Sequence, residues 1–324
     1  MSNDTLRYIR HDTTRRFGDG KRTRAGLMGN KVVNLDGNPA SHTVRAVLLG
    51  VACDRGVGLG AGRIGSADGP MRFRDAFWRT MAPEGWGPGA LLDAGDLVSA
   101  GRTDETHARL SEVVAVLRGR FPQARLVVVG GGQDALYGDV LGFSRWCRKE
   151  GLAGRLGLVH VDAQPDASDH EGEPHDRTAL RRILREPAAG IAGEDVVAWG
   201  LQQVVSQPAQ LEFLRNQGVT LHYQPDHPGK ASLTDEVDRL LGEVDGLSMS
   251  VDLGAFSQAV APGVSEPIAI GIDPGQVARA LGRLGAAERP TSVSIWGLNP
   301  RFDRDGATAR LAARLAWSYV CGRP

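Results

Sequence analysis

The stretch Leu156-Gly-Leu-Val-His-Val-Asp-Ala-Gln-Pro-Asp166 predicts a buried strand that runs directly into a cluster of polar side chains. Its first half is almost continuously apolar, which is typical of a strand covered on both faces. Asp162, Gln164 and Asp166 then follow at a spacing of two, so their side chains lie on one side if the chain stays extended. A capping turn is the alternative, because Asp and Pro also end strands.

Strands and helices alternate on either side of this stretch. Short apolar runs predict further strands, and amphipathic segments between them predict helices. About eight strands separated by helices indicate an α/β fold, a three-layer α/β/α sandwich around one mostly parallel sheet. The further predicted strands cover residues 44–51, 91–97, 125–129, 195–200, 219–223, 247–251 and 292–297.

Residues 1–42 differ in character from the rest of the chain. They are polar, basic and rich in glycine, and they show no sustained hydrophobic period. No linker or change of composition divides the remainder. We therefore predict an N-terminal arm over residues 1–42 and a single domain over residues 43–324.

Composition limits the possible partners. With 324 residues, of which 41% are hydrophobic, the chain is long enough to bury one large core. A formal net charge of zero argues against nucleic acid, and no apolar run approaches the roughly 18 residues that span a membrane. The three cysteines are far apart and odd in number, which predicts reduced thiols in a cytoplasmic protein.

Polar clusters follow four of the predicted strands. In open α/β sheets ligands bind at the carboxyl ends of the strands, so these clusters are the candidate site. They are Gly130-Gly-Gly-Gln-Asp134, Asp162-Ala-Gln-Pro-Asp166, Ser250-Val-Asp-Leu-Gly254 and Ile295-Trp-Gly-Leu-Asn-Pro300.

The same segments resemble the motifs of one family, in the right order along the chain. Residues 129–134 resemble a GGGHD motif, residues 162–166 a DAHxD motif, and residues 250–252 the start of an SxDxD motif. The loop at residues 261–267 and the segment that begins at Leu298 continue the match. The chain therefore resembles the ureohydrolases, the arginase and agmatinase superfamily, and its pattern is most similar to formimidoylglutamase. The resemblance implies an arginase-like fold and a homo-oligomer.

Family enzymes hold two manganese ions with two histidines and four aspartates, and a metal-bridging hydroxide attacks a guanidinium or amidine carbon. Carried over residue by residue, the match is partial. Gln133 and Gln164 stand where the family has histidines, and Gly254 stands where it has an aspartate. Gly297 stands where the family has a glutamate, whereas His175 falls where it has an active-site histidine.

These departures predict that the usual dimanganese centre is lost. A glutamine carbonyl is a weak neutral ligand compared with imidazole, and a glycine at position 254 removes a carboxylate. Asp162, Asp166 and Asp252 are kept, so we expect no metal, or at most one Mn²⁺ or Mg²⁺ among these three carboxylates.

If two metal ions are absent, the negative charge of the three converging carboxylates must be compensated in another way. One ion is the first possibility. A cationic ligand, held by hydrogen bonds from the Gln133 and Gln164 amides, is the second. A carboxyl group that stays protonated as a general acid, with His175 or another carboxylate as base, is the third. The alternative to all three is an inactive site whose side chains form hydrogen bonds with one another.

The residues support three hypotheses about function. The first is a repurposed, metal-independent enzyme that acts on a C–N bond of a small amino-acid-like, amidine or guanidine-type substrate. The second is an inactive pseudoenzyme that serves as a binding or scaffolding subunit, and the third is a formimidoylglutamase-like hydrolase with a single ion. His160 is expected to be a hydrogen-bonded core histidine. The predicted catalytic residues are Asp162, Asp166, Asp252 and His175, and the predicted substrate-binding residues are Gln133, Gln164, Asp134, Arg63, Trp296, Asn299 and Ser265.

Overall fold

A computed structural model describes residues 3–11, 26–152, 154–223 and 232–322 of the chain. The strands of this part are β1 (Ile9–Arg10), β2 (Val32–Asn34), β3 (Ala46–Ala52), β4 (Leu91–Val98), β5 (Arg125–Gly130), β6 (Leu156–Val161), β7 (Ile191–Leu201), β8 (Thr220–Tyr223), β9 (Gly246–Asp252) and β10 (Thr291–Trp296). Its α-helices are α1 (Arg55–Leu59), α2 (Gly69–Phe77), α3 (Thr103–Arg120), α4 (Leu136–Lys149), α5 (Ala179–Arg185), α6 (Pro208–Asn216), α7 (Leu233–Glu243), α8 (Pro274–Gly285) and α9 (Ala307–Cys321).

All the strands belong to one 10-stranded sheet in the order β1-β4-β3-β5-β10-β9-β6-β7-β8, with β2 also paired to β4. The pairing of β1 with β4 is antiparallel, and the other pairings between these strands are parallel. The predicted mostly parallel sheet is confirmed, and each predicted strand is present. The sheet has ten strands rather than about eight because β1 and β2 are too short to produce a periodic pattern.

Both additional strands come from the region that was predicted as an arm. Ile9 pairs with Leu97, and Val32 pairs with Leu91, so β1 and β2 both extend the sheet along β4. Met28, between them, is fully buried. Parts of residues 1–42 therefore pack on the domain, whereas residues 12–25 lie outside the described residues.

Helices cover both faces of the sheet, as a three-layer sandwich requires. Helices α3, α4, α5 and α6 bury their apolar residues against one face, and α2, α7, α8 and α9 bury theirs against the other. Buried on both faces, β6 has the near-continuous apolar sequence expected of a parallel strand. None of the helices in the described ranges combines the length and the apolar character needed to cross a bilayer.

Four neighbouring strands at the centre of the sheet position the candidate site. Strands β5, β10, β9 and β6 lie side by side and run parallel. Their ends are nearly level, since Val161 pairs with Val251 and Trp296 pairs with Asp252. The residues that follow these strands therefore meet at one edge of the sheet, where ligands bind in such folds.

Candidate functional site

A narrow cavity of about 40 Å³ opens at the carboxyl ends of the four central strands. Its lining joins residues from the ends of β5, β6, β9 and β10 with residues from two loops. The polar side chains in the lining are Gln133, Asp162, Gln164, Asp166, Asp176, Arg177, Asp252, Ser265 and Glu266. The predicted convergence of Gln133, Gln164 and the three aspartates is therefore present.

Asp162 and Asp166 are held by the backbone of the segment that follows β6. The Asp162 side chain accepts a hydrogen bond from the Gln164 backbone N–H (3.0 Å), which forms a tight turn. Asp166 has a φ of +45°, a left-handed conformation that Asp tolerates better than most residues. Its carbonyl oxygen accepts a hydrogen bond from the backbone N–H of Leu180 (3.0 Å), so α5 fixes this turn. Both carboxylates are about 5% exposed or less.

Asp252 ends β9 and turns its carboxylate onto two glycines. Its Oδ1 accepts a hydrogen bond from the Gly254 backbone N–H at 2.6 Å. Gly297, at the end of β10, has a φ of +81°, and a Cβ atom there would lie only 2.9–3.0 Å from the carboxylate oxygens. A glycine at position 297 therefore leaves the space in which the Asp252 carboxylate lies.

Burial raises the pKa of all three carboxyl groups above the ordinary value. For Asp162, burial and the nearby charge of Asp252 act together. For Asp166, burial acts with the charges of Asp162 and Asp252. The pKa of Asp252 rises to about 7, mainly because of burial, against the lowering effect of the Gly254 N–H. The site is therefore costly in its fully ionised form unless a cation enters it.

A glutamate and an arginine that the sequence analysis did not select lie at the mouth of the cavity. Gln164 Nε2 donates to Glu266 Oε2 at 2.5 Å, and Arg177 donates to Glu266 Oε1 at 2.5 Å. The Gln164 amide N–H group therefore binds Glu266 of the loop and not the aspartates. Glu266 is adjacent to the predicted residue Ser265, and Arg177 is two residues after the predicted residue His175. The sequence patterns around them do not indicate which side chains point into the cavity.

His160 faces the aspartates from within β6. It is fully buried, and its Nε2 lies 3.6 Å from Asp166 Oδ2. Neither of these two atoms has a hydrogen-bond partner in the described part of the chain. The expected hydrogen bonding of His160 as a core histidine is therefore present only at Nδ1, which Gln133 Nε2 approaches at 3.5 Å. The spacing of two between His160 and Asp162 was the signal, because it places both side chains on one face of the strand.

The ring of His160 is uncharged near neutral pH. Burial lowers its pKa to about 4, against a smaller opposing effect of the Gln164 backbone. Ligand atoms of His160, Asp162 and Asp166 all lie within 4.8 Å of one another, an arrangement that could hold a metal ion. The three residues combine one neutral nitrogen donor with carboxylate oxygens.

Three of the predicted site residues, Asn299, Arg63 and Trp296, pack around the site and are not among the described residues that line the cavity. Asn299 is buried and donates to the carbonyl oxygen of Arg63 at 2.9 Å. Arg63 in turn donates to the carbonyl oxygen of Val264 at 2.7 Å, which ties the two loops together. The ring of Trp296, a predicted substrate-binding residue, is fully buried and fills the space beside Gly130.

Asp134 belongs to a separate buried network. His107 Nε2 and Asp134 Oδ2 are 2.7 Å apart, and Arg182 lies 2.8 Å from His107 Nδ1. Because arginine only donates, His107 Nδ1 is the acceptor and Nε2 donates to Asp134. The Asp134 carboxylate is therefore occupied on the outer side of the segment that carries Gln133.

His175 is likewise outside the lining that the described residues form. It lies at the N-terminal cap of the short 3₁₀ helix Asp176–Thr178, where its Nδ1 accepts a hydrogen bond from the Arg177 backbone N–H (3.4 Å). It therefore positions Asp176 and Arg177, which do line the cavity.

Comparison with known proteins agrees with the motifs. A sequence model of the arginase family, described as "Arginase family", matches residues 44–322. The formimidoylglutamase of Nocardia farcinica is 34% identical over 286 residues, which cover 87% of this chain and 88% of the relative. The formimidoylglutamase of Aeromonas salmonicida is 29% identical over 290 residues, with 86% and 87% covered.

Solved structures show the same fold. The formimidoylglutamase of Bacillus subtilis superposes with a TM-score of 0.78 at 18% identity, covering 98% of this chain and 97% of that one. The formiminoglutamase of Trypanosoma cruzi, solved with Mn²⁺, superposes with a TM-score of 0.75 at 22% identity, covering 88% and 96%. The arginase-like fold predicted from the sequence is confirmed.

Proposed function

The chain belongs to the arginase family, and on that premise we propose that it is a hydrolase that acts on a C–N bond of a small amidine- or guanidine-type, amino-acid-like substrate. Relatives that are named formimidoylglutamase act on a substrate of this class, whose reacting group is a planar cation. The observation that carries the proposal is the excess of carboxylates around one buried cavity.

The described lining of this cavity contains five carboxyl groups and one guanidinium, that of Arg177. If all are ionised, the lining has a formal excess of four negative charges, in a site where burial already raises the pKa of the three inner aspartates. A bound cation removes this cost, since an opposite charge nearby favours the ionised form. An amidinium or guanidinium is suitable because its planar N–H groups pair with carboxylates in two parallel hydrogen bonds.

The size of the cavity restricts how such a substrate enters. A volume of about 40 Å³ is of the order of one or two water molecules. In this proposal only the planar head group enters the cavity, and the remainder of an amino-acid-like molecule extends toward Glu266 and Arg177 at the mouth. In this proposal the Arg177 guanidinium, which is about one-third exposed and is paired with Glu266, binds a substrate carboxylate.

The donor set does not fit two manganese ions. Amide groups stand at two ligand positions, and the one at Gln164 is bonded to Glu266. Gly254 has no side chain that could bind a metal ion, and its backbone N–H donates a hydrogen bond to Asp252 Oδ1. In this proposal the carboxylates of this chain bind and orient the cationic head group, and the narrow cavity excludes bulk water from it.

Pairs of charged and neutral ligands test the proposal. Arginine and citrulline have nearly the same shape, but only arginine is cationic; N-formimidoyl-L-glutamate and N-formyl-L-glutamate form a second pair. We expect the cationic member of at least one pair to raise the thermal midpoint and to bind in calorimetry. Asp252→Asn should weaken that binding by tenfold or more, about 1.4 kcal/mol. Asp238→Asn, which changes a surface partner of Arg283, is the matched control. Equal effects of the charged and neutral members would refute the proposal.

A catalytically inactive binding subunit is the second candidate, and one observation favours it. Asp252 and Gln164 are both satisfied by neighbours in the chain, Gly254 and Glu266, as in a site that has closed on itself. An assay for reaction products distinguishes the two candidates. Ammonia, urea or formamide from a ligand that binds indicates the hydrolase, whereas tight binding of a cationic ligand without turnover indicates the binding subunit.

A further inference from the structure

We propose that this chain binds one divalent first-row metal ion through His160, Asp162 and Asp166, with an imidazole from within β6 in place of the missing motif histidines. The inference deepens the proposed function, because the ion would lie in the same cavity. Mixed nitrogen and oxygen donors of this kind suit Mn²⁺ or Zn²⁺ better than the purely oxygen-seeking Mg²⁺.

The geometry of the three side chains suits one ion. Two atoms that bind the same ion at about 2.1 Å are at most about 4.2 Å apart. His160 Nε2 and Asp166 Oδ2 are 3.6 Å apart, and ligand atoms of all three residues lie within 4.8 Å of one another. Small side-chain rotations therefore bring all three donors to one centre.

The buried atoms that face this centre lack any other explanation in the described part of the chain. His160 Nε2 and Asp166 Oδ2 are shielded from solvent and have no hydrogen-bond partner there. A buried polar atom without a partner costs about 1–3 kcal/mol, so two of them that face each other indicate a shared ligand. Their separation of 3.6 Å is too long for a hydrogen bond between them.

Gln133 has a definite part in this arrangement. Its amide lies 3.5 Å from His160 Nδ1, on the side of the ring away from Asp166. When Nε2 binds an ion, Nδ1 must carry the proton, and the Gln133 amide then turns its oxygen to accept it. Such an outer partner fixes the tautomer and orientation of a metal-binding histidine. The residue that replaces one motif histidine thus supports another histidine.

The charges are consistent with an ion and a cationic substrate together. One divalent ion reduces the formal excess in the lining from four negative charges to two. The remaining negative charge still favours the binding of an amidinium. When bound, such an ion supplies a Lewis acid that makes water a nucleophile near neutral pH. His160, Asp162 and Asp166 would hold it, and Asp252 remains for the substrate.

Metal content and affinity test this site without any substrate. We expect protein purified without chelator, or apoprotein reloaded with Mn²⁺ or Zn²⁺, to contain one ion per chain by elemental analysis. The electron paramagnetic resonance spectrum of the Mn²⁺ form should be that of a single ion, without the coupling of a pair. His160→Gln should weaken the ion's affinity by at least tenfold, whereas His222→Gln, at a histidine bonded to Glu236, should leave it unchanged.

Each other outcome overturns the inference. Two ions per chain, or none after reloading, would contradict a single site, and unchanged affinity in His160→Gln would remove His160 from it. Circular dichroism confirms that this variant is folded, and His160→Asn provides a second variant if it is not. Binding of a cationic ligand by the apoprotein is measured separately, so a failure of the metal site remains distinguishable from a failure of the proposed function.

Discussion

A single glycine sets the geometry of the carboxylate at the end of β9. Gly297 has a φ of +81°, and a Cβ atom there would lie about 3 Å from both Asp252 carboxylate oxygens. We expect Gly297→Ala to lower the free energy of unfolding by roughly 1–2 kcal/mol for the left-handed conformation alone, and to weaken cation binding by displacing Asp252. Chemical denaturation and ligand calorimetry measure the two effects.

Gly242 in α7 provides the control for this prediction. A Cβ atom there meets nothing within 4 Å, and the backbone is helical, so Gly242→Ala should raise stability by about 0.5–1 kcal/mol. Equal effects of the two substitutions would contradict the role assigned to Gly297.

At the scale of the elements, one buried carboxyl group lies between α4 and the sheet. Asp139 is fully buried, and burial raises its pKa to about 6, against the lowering effects of Ser294 and Arg118. The folded state therefore binds a proton more tightly than the unfolded state, so this group's contribution to stability falls as pH rises from about 4 to about 6. We expect a loss of the order of 2–3 kcal/mol over that range, and Asp139→Asn should remove most of it. Denaturant unfolding at pH 4.5 and 7.5 measures the difference.

Other carboxyl groups titrate in the same range, so the comparison needs a matched variant. Glu150, exposed at the end of the same helix, is suitable, and Glu150→Gln should retain the pH dependence of the unaltered chain. A pH dependence that is the same in Asp139→Asn and Glu150→Gln would show that Asp139 is not its source.

At the scale of the whole molecule, we expect the ends of the central strands to provide the backbone positions that a two-metal site requires. Gln133, Gln164 and Gly254 stand at the ends of three central strands whose register is regular. We expect the triple variant Gln133→His, Gln164→His, Gly254→Asp to bind two Mn²⁺ per chain, because backbone positions rather than loops set the donor spacing. Elemental analysis measures the change.

One contact limits this restoration. A Cβ atom at position 254 would lie 2.9 Å from Asp252 Oδ1, so Asp252 must turn away from the Gly254 N–H. The variant Gln133→His, Gln164→His, which keeps Gly254, is the control and should bind fewer ions. An unchanged metal content in the triple variant would show that the differences in the site extend beyond these three side chains.

Local patterns in the sequence were sufficient to predict eight of the ten strands of the described sheet and the edge of the sheet where the site lies. The apolar run of β6 and the polar residues after it required no knowledge of distant residues, because strand periodicity and burial are local properties. The same holds for the convergence of Asp162, Asp166 and Asp252, since the carboxyl ends of neighbouring parallel strands meet. Strands β1 and β2 were missed because two or three residues are too few to show a period.

Only the tertiary structure decided what the polar side chains contact. Gln164 bonds to Glu266, 102 residues further along the chain, and Asn299 and Arg63 connect two loops rather than line the cavity. The orientation of His160 toward Asp166 depends on a left-handed turn that α5 holds in place. Such contacts depend on where separate segments meet in space, and the packing of the whole chain, rather than the period of any one segment, determines that.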